Sequence, residues 1–109
     1  MPPAKKFELH KFLIDHQVDV AIITETWLSP KNTFKLPQYS IHRKDRSTNP
    51  GEPPRGGVLM VINNKIPSEY LTQPAIASVE AITARVKTTP ALILTTTYIP
   101  PNTTLLPQS

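Results

Sequence analysis

Three apolar, β-branched runs share this chain with a single helix-forming segment, and that imbalance constrains the fold most. The runs are residues 18–24 (VDVAIIT), 58–62 (VLMVI) and 91–98 (ALILTTTY). Near-continuous apolar character in the first two predicts strands buried on both faces. Gly56-Gly57 opens the second run and Asn63-Asn64-Lys65 ends it with turn chemistry. Pro100-Pro101 stops the third, because proline cannot donate to a sheet ladder. Residues 39–43 alternate apolar and polar side chains, as a half-exposed strand does. Residues 78–87 read as a further strand, with Val79, Ala81 and Thr83 on one face. The helix is predicted over 4–16. Pro3 suits a helix start, and Leu9, Phe12, Leu13 and His16 follow the spacing of one helical face. The fold class expected is α/β in one domain. One helix cannot cover both faces of such a sheet, and an uncovered apolar face is a liability. Either the chain dimerises through that face or further polypeptide covers it.

At 109 residues the chain can bury roughly 65% of its unfolded surface, enough for one modest core. It has no cysteine, which excludes a disulfide scaffold and any Cys-ligated metal centre. Its apolar runs fall far short of the ~20 residues a membrane span needs. The opening residues, Met1-Pro2-Pro3-Ala4-Lys5-Lys6, hold no apolar stretch of a secretory signal.

Charge is concentrated in one place. Residues 31–55 carry Lys31, Lys35, Arg43, Lys44, Arg46 and Arg55 against Asp45 and Glu52, which is the whole net charge of +4. Pro50, Gly51, Pro53, Pro54, Gly56 and Gly57 punctuate the same stretch, so it reads as a surface loop beside a strand. Two readings are open. The loop is a solvated surface, or it attracts a nucleic-acid backbone. Phe34 and Tyr39 are the only aromatics within residues 31–55, so a stacking platform for single strands has little support.

Two strand ends combine apolar runs with polar groups. Residues 18–24 lead into Glu25-Thr26-Trp27-Leu28. A carboxylate at the C-terminal end of a strand stands where open α/β sheets place ligands, and one carboxylate can hold a hard cation such as Mg²⁺. The bland alternative is a solvated strand-end residue. At the second end, Tyr98 presents a phenol and Asn102 an amide that suits a phosphate oxygen. The alternative is a core-capping tyrosine followed by a stiff turn. Glu80 is either a second carboxylate of the site or half of a cross-strand ion pair, the latter being favoured. Other chemistries fail: His10 and His16 are wrongly spaced for a shared metal, His42 has no evident partner, no serine has a nucleophile-elbow setting, and no P-loop pattern is present.

The order of these blocks resembles a known family. Glu25-Thr26-Trp27-Leu28, then Tyr39-Ser40-Ile41-His42-Arg43-Lys44-Asp45-Arg46, then Arg55-Gly56-Gly57-Val58, then Tyr98-Ile99-Pro100-Pro101-Asn102 looks like an endonuclease/exonuclease/phosphatase domain. The branch it resembles most is the apurinic/apyrimidinic-like endonuclease domain of non-LTR retrotransposons, jockey-like elements included. The resemblance covers about residues 5–104. It implies a partial four-layer α/β sandwich that lacks the family's first strand and its C-terminal half. It implies a Mg²⁺-dependent cut of a DNA phosphodiester, with Mn²⁺ as a substitute ion. Glu25 matches the metal carboxylate and Tyr98 the phosphate-contacting tyrosine. Asn102 matches the asparagine that follows, although the family commonly places it three residues after the tyrosine and here it is four. Arg43, Lys44, Arg46 and Arg55 fall in basic positions suited to DNA backbone, with Arg46 alternatively an ion-pair partner of Asp45.

The resemblance further implies that the family's first-strand asparagine, its later Asp-x-Asn pair and its terminal Asp and His lie outside this chain. The expectation is a fragment, inactive alone. Its partners would be DNA and the remainder of a parent polyprotein with a reverse transcriptase, with neither membrane nor small-molecule cofactor. Its location would be the nucleus or cytoplasm. Two alternatives stay open: a different phosphoesterase of the same superfamily, and a non-catalytic nucleic-acid-binding module using the basic loop.

Overall fold

A computed structural model describes residues 1–46, 51, 55–72 and 79–99. The elements run α1 (Pro3–Asp15), β1 (Val20–Thr24), β2 (Tyr39–Lys44), β3 (Val58–Asn63), β4 (Ser68–Leu71), β5 (Glu80–Val86) and β6 (Leu92–Tyr98). The result is a mixed α/β fold of one helix and two antiparallel three-stranded sheets, ordered β1-β3-β2 and β4-β5-β6.

β3 is the centre of the molecule. Its residues Val58 to Ile62 are all buried, because each of its faces meets a different partner. Leu59 and Val61 point to the helix side and pack with Leu13, Leu28, Phe34 and Leu36. Val58, Met60 and Ile62 point to the second sheet and pack with Ile82, Ala84 and Val86 of β5. Each buried Leu, Ile, Val or Met of this kind is worth about 1.5–3 kcal/mol.

α1 covers the outer face of the first sheet through Leu9 and Leu13. Its expected apolar face is narrower than the spacing suggested. Phe12 is 54% exposed and stacks on His16 at 4.2 Å between ring centroids, so both stay outside the core.

The coverage problem raised by the single helix is met by splitting the strands into two packed sheets. The second sheet covers the inner face of the first. Its own outer face is largely polar and needs less cover: Arg85 pairs with Glu69 at 2.6 Å, and the Thr83 and Thr95 hydroxyls meet at 3.1 Å. The buried face of β5 is therefore Glu80, Ile82, Ala84 and Val86, opposite the face that carries Ala81 and Thr83.

One strand expectation is corrected. The run 18–24 does not form a doubly buried strand. Among the described residues β1 is an edge strand whose one partner is β3, in the register Val20↔Ile62 through Thr24↔Val58. Val20 and Ile22 remain 38% and 42% exposed on the inter-sheet side. The central position belongs to β3, the one strand with a neighbour on each side in that sheet. β4 lay outside the sequence expectation altogether. Among the described residues no helix is long and apolar enough to cross a membrane.

Candidate functional site

The ends of β1 and β6 meet. Glu25 follows the last residue of β1, and Tyr98 is the last residue of β6. The Tyr98 hydroxyl donates to Glu25 Oε1, closing a separation of 73 residues. The Trp27 indole N–H donates to the other carboxylate oxygen, Oε2, at 2.8 Å. Both carboxylate oxygens are thus gripped while the side chain stays open to solvent.

The backbone that presents Glu25 is unusual. Glu25 and Trp27 both adopt left-handed φ values of 55°. Such conformations cost a non-glycine residue roughly 1–3 kcal/mol each and persist only when neighbours enforce them. Here the enforcement comes from Thr26 and the Gly56-Gly57 corner. Thr26 is buried between the two strained residues. The Trp27 amide donates to the Gly56 carbonyl at 2.8 Å, and the Thr26 amide to the Gly57 carbonyl at 3.4 Å. The Thr26 hydroxyl reaches the Gly56 carbonyl at 3.4 Å. Gly56 and Gly57 have φ values of 65° and 94°, the region that favours glycine.

The electrostatics follow from the bonds. The Tyr98 hydrogen bond is the main cause holding the Glu25 carboxyl below its usual range, with the Trp27 bond next and the charges of Arg46 and Arg55 adding to it. Burial acts in the opposite sense, less than the two hydrogen bonds but more than either arginine. The same Glu25 contact pushes the Tyr98 phenol above its ordinary value. At neutral pH the pair is a carboxylate gripped by a protonated phenol. Beside it lies an open cavity of about 220 Å³ lined by Met1, Pro2, Lys5, Glu25, Thr26 and Trp27.

The remaining expected residues separate into distinct groups. Arg43 makes four hydrogen bonds within the fold. Its Nε and Nη2 donate to Asp45 at 3.2 and 2.7 Å, and its Nη1 and Nη2 donate to the carbonyls of Asn32 and Ser29 at 2.7 and 2.9 Å. The ion pair at Asp45 is therefore made by Arg43, where Arg46 had been one expectation. Arg46 turns instead to Glu80, Nε to Oε1 at 2.8 Å. That ion pair joins the two sheets rather than two neighbouring strands, because Arg46 follows β2 and Glu80 opens β5. Both oxygens of Glu80 are engaged, the second by the Gly57 amide at 2.9 Å. Glu80 is thus no free second carboxylate. Lys44 and Arg55 are exposed. Asn102 lies outside the described residues.

Sequence reasoning gave no role to Trp27 or to the Gly56-Gly57 corner. The corner's signal is two glycines directly ahead of a buried strand, which reads as a strand opening and loop punctuation but not as a support for Glu25. His42 does have a partner: its Nε2 lies 2.9 Å from the Ser68 hydroxyl of β4.

Among the described residues no group of three or more His, Cys, Asp or Glu side chains forms a ready-made metal cage. A single ionised, solvent-open carboxylate does fit the coordination habit of Mg²⁺, which takes one or two carboxylates and completes its octahedron with water and phosphate oxygens. No protein-family model, curated protein sequence or solved structure matches this chain.

Proposed function

We propose that this chain carries the Glu25–Tyr98 portion of a Mg²⁺-dependent site that hydrolyses a DNA phosphodiester. The domain would be of the endonuclease/exonuclease/phosphatase type, like that of a non-LTR retrotransposon, where the nick primes reverse transcription. One observation supports this reading above the others. The carboxylate and the tyrosine singled out from two distant sequence blocks converge at the ends of strands in two different sheets.

Glu25 would hold the ion. Bound there, Mg²⁺ supplies charge neutralisation at the scissile phosphate. Tyr98, kept protonated, retains a hydrogen for a carboxylate or phosphate oxygen. Trp27 fixes the orientation of the second carboxylate oxygen. Lys44 and Arg55 are free to contact DNA phosphates, which positions a protein without reading sequence. In-line displacement also needs an activated nucleophile. No residue of this pair activates one, so the reading assigns that role to polypeptide outside these 109 residues. The four-layer sandwich of the family is part of the same proposal. The exposed edges of β1 and β6, on the side where Glu25 meets Tyr98, are where further strands would extend both sheets.

Trp27 is the only tryptophan, so its emission reports on Glu25 directly. The expected result is Mn²⁺ quenching of Trp27 emission that Glu25→Gln removes, with no nicking of supercoiled plasmid by the chain alone. Quenching indifferent to Glu25→Gln, together with salt-sensitive DNA binding that ignores Mg²⁺, would overturn the reading in favour of a non-catalytic binding module. Metal-dependent nicking abolished by Glu25→Ala would keep the chemistry and overturn the need for outside groups.

A further inference from the structure

We infer that Glu80 is a positioning residue for the Glu25 carboxylate, acting through the Gly56-Gly57 corner. The inference rests on the cation-binding reading for one arm of its test only.

Glu80 sits within the protein, with its side chain 9% exposed. Its two oxygens go to two different structures. Oε1 accepts from Arg46, just past the end of β2, and Oε2 accepts from the Gly57 amide, just ahead of β3. The corner so held offers its two carbonyls to Thr26 and Trp27. Those are the two residues that directly follow Glu25. The path from Glu80 to Glu25 is therefore a chain of direct hydrogen bonds with no gap in it.

Three features set this apart from an ion pair that serves stability alone. First, Glu80 pairs with Tyr98 in the β5–β6 register. The same register position thus fixes the tyrosine that grips Glu25 and the carboxylate that anchors its backbone. Second, the corner has no room to be rebuilt. A Cβ on Gly56 would stand 2.6 Å from Arg46 Cζ and 2.6 Å from Glu80 Oε1, and one on Gly57 would collide with the Thr26 hydroxyl. Third, Arg46 Nη2 is buried with no hydrogen-bond partner among the described residues. A buried donor left unsatisfied carries a penalty, so the guanidinium is placed for Glu80 at the expense of its own satisfaction.

The two strained φ values at Glu25 and Trp27 supply the reason for such a clamp. Without an enforced corner the segment relaxes toward ordinary backbone, and the Glu25 oxygens leave Tyr98 and Trp27.

Two variants separate reach from charge. Glu80→Gln keeps the shape but loses one acceptor. Glu80→Asp keeps the charge but is one methylene too short to hold Arg46 and Gly57 together. Amide hydrogen exchange is measured by NMR on each, alongside Mn²⁺ quenching of Trp27. The expected result in both variants is about tenfold faster exchange at the Trp27 and Gly57 amides, with the β1–β3 ladder amides unchanged. Mn²⁺ quenching shifts to about fivefold higher concentration in both, where a purely electrostatic role would leave Glu80→Asp like wild type. Unchanged exchange at Trp27 would overturn the inference. So would faster exchange that merely parallels the β1–β3 ladder, or loss of folding in both variants, since either makes Glu80 a general stability residue. If wild-type protein shows no Mn²⁺ response, the cation reading fails while the exchange arm still decides this inference.

Discussion

Tyr98 donates its phenolic hydrogen to Glu25 across the gap between two sheets, from the last residue of one strand to the residue just past another. Because the acceptor is an ionised carboxylate, the bond favours charge on Glu25 and protonation on Tyr98. This one contact explains the opposite directions in which the two groups are displaced.

Tyr98→Phe is therefore expected to raise the Glu25 pKa toward the ordinary carboxylate range. In the native protein the depressed pKa means that the interaction is fully present above the unfolded-state value and is lost as pH falls through the folded-state value. The variant lacks the Tyr98 bond at every pH, and the stabilisation left to Glu25 by the Trp27 bond is lost at higher pH than in the native protein. A side-chain carboxyl ¹³C titration of Glu25 checks the shift. An unmoved midpoint would assign the depression to Trp27 and the nearby arginines instead.

The core makes a sharper contrast. Ile62 on β3 is fully buried, whereas Ile22 on the edge strand β1 is 42% exposed on the same sheet face. Ile62→Ala is expected to cost about 2–5 kcal/mol, the range for deleting a buried aliphatic side chain. Ile22→Ala should cost measurably less than Ile62→Ala, because 42% of the Ile22 surface is already exposed. Urea unfolding of the two variants tests the pair, and equal costs would contradict the edge position of β1.

That contrast also marks the limit of what sequence alone conveys. Periodicity and turn residues place α1, β2, β3, β5 and β6 nearly where they occur, because each depends on local pattern. The positions of Glu25 and Tyr98 are legible for the same reason, as the polar residues at which apolar runs end. What periodicity cannot carry is which strand lies at the centre. Runs 18–24 and 58–62 look alike, yet only the second has neighbours on both sides in its sheet. Ser68–Leu71 is too short to establish an alternation. Arg46 and Glu80 are 34 residues apart, and their pairing follows from sheet packing. The left-handed backbone at Glu25 and Trp27 is imposed by the glycine corner, so no local preference announces it.

Under the proposed DNA-contacting role, Arg43, Lys44, Arg46 and Arg55 should divide by what they already bind, with Arg43 and Arg46 engaged within the fold and Lys44 and Arg55 exposed. The Arg43 guanidinium is spent on Asp45 and two loop carbonyls, so Arg43→Lys is expected to cost about 1–2 kcal/mol of stability through lost charge-assisted bonds. It should leave the salt dependence of DNA binding unchanged. Lys44→Ala and Arg55→Ala should each lower the slope of log affinity against log salt by about 1, with little effect on stability. Binding measured over a salt series separates the two groups. A reduced slope for Arg43→Lys would place that residue at the DNA.

His42 gives the fold a pH dependence of its own. It lies on β2, half-buried between the sheets, with its Nε2 beside the Ser68 hydroxyl and its ring 6.0 Å from that of Tyr70 on β4. Burial lowers its pKa below the ordinary value, since the charged ring loses water there. A depressed pKa means the unfolded chain takes up a proton before the folded protein does. The stabilisation is complete above the unfolded-state value, about 6.5 for histidine, and drains away as pH falls from there toward the folded-state value. Thermal unfolding should show Tm dropping between about pH 7 and pH 5. His42→Gln keeps a polar contact to Ser68 without a titrating ring, so the drop should flatten in that variant. An identical drop in His42→Gln would assign the acid sensitivity to groups other than the one histidine packed between the sheets.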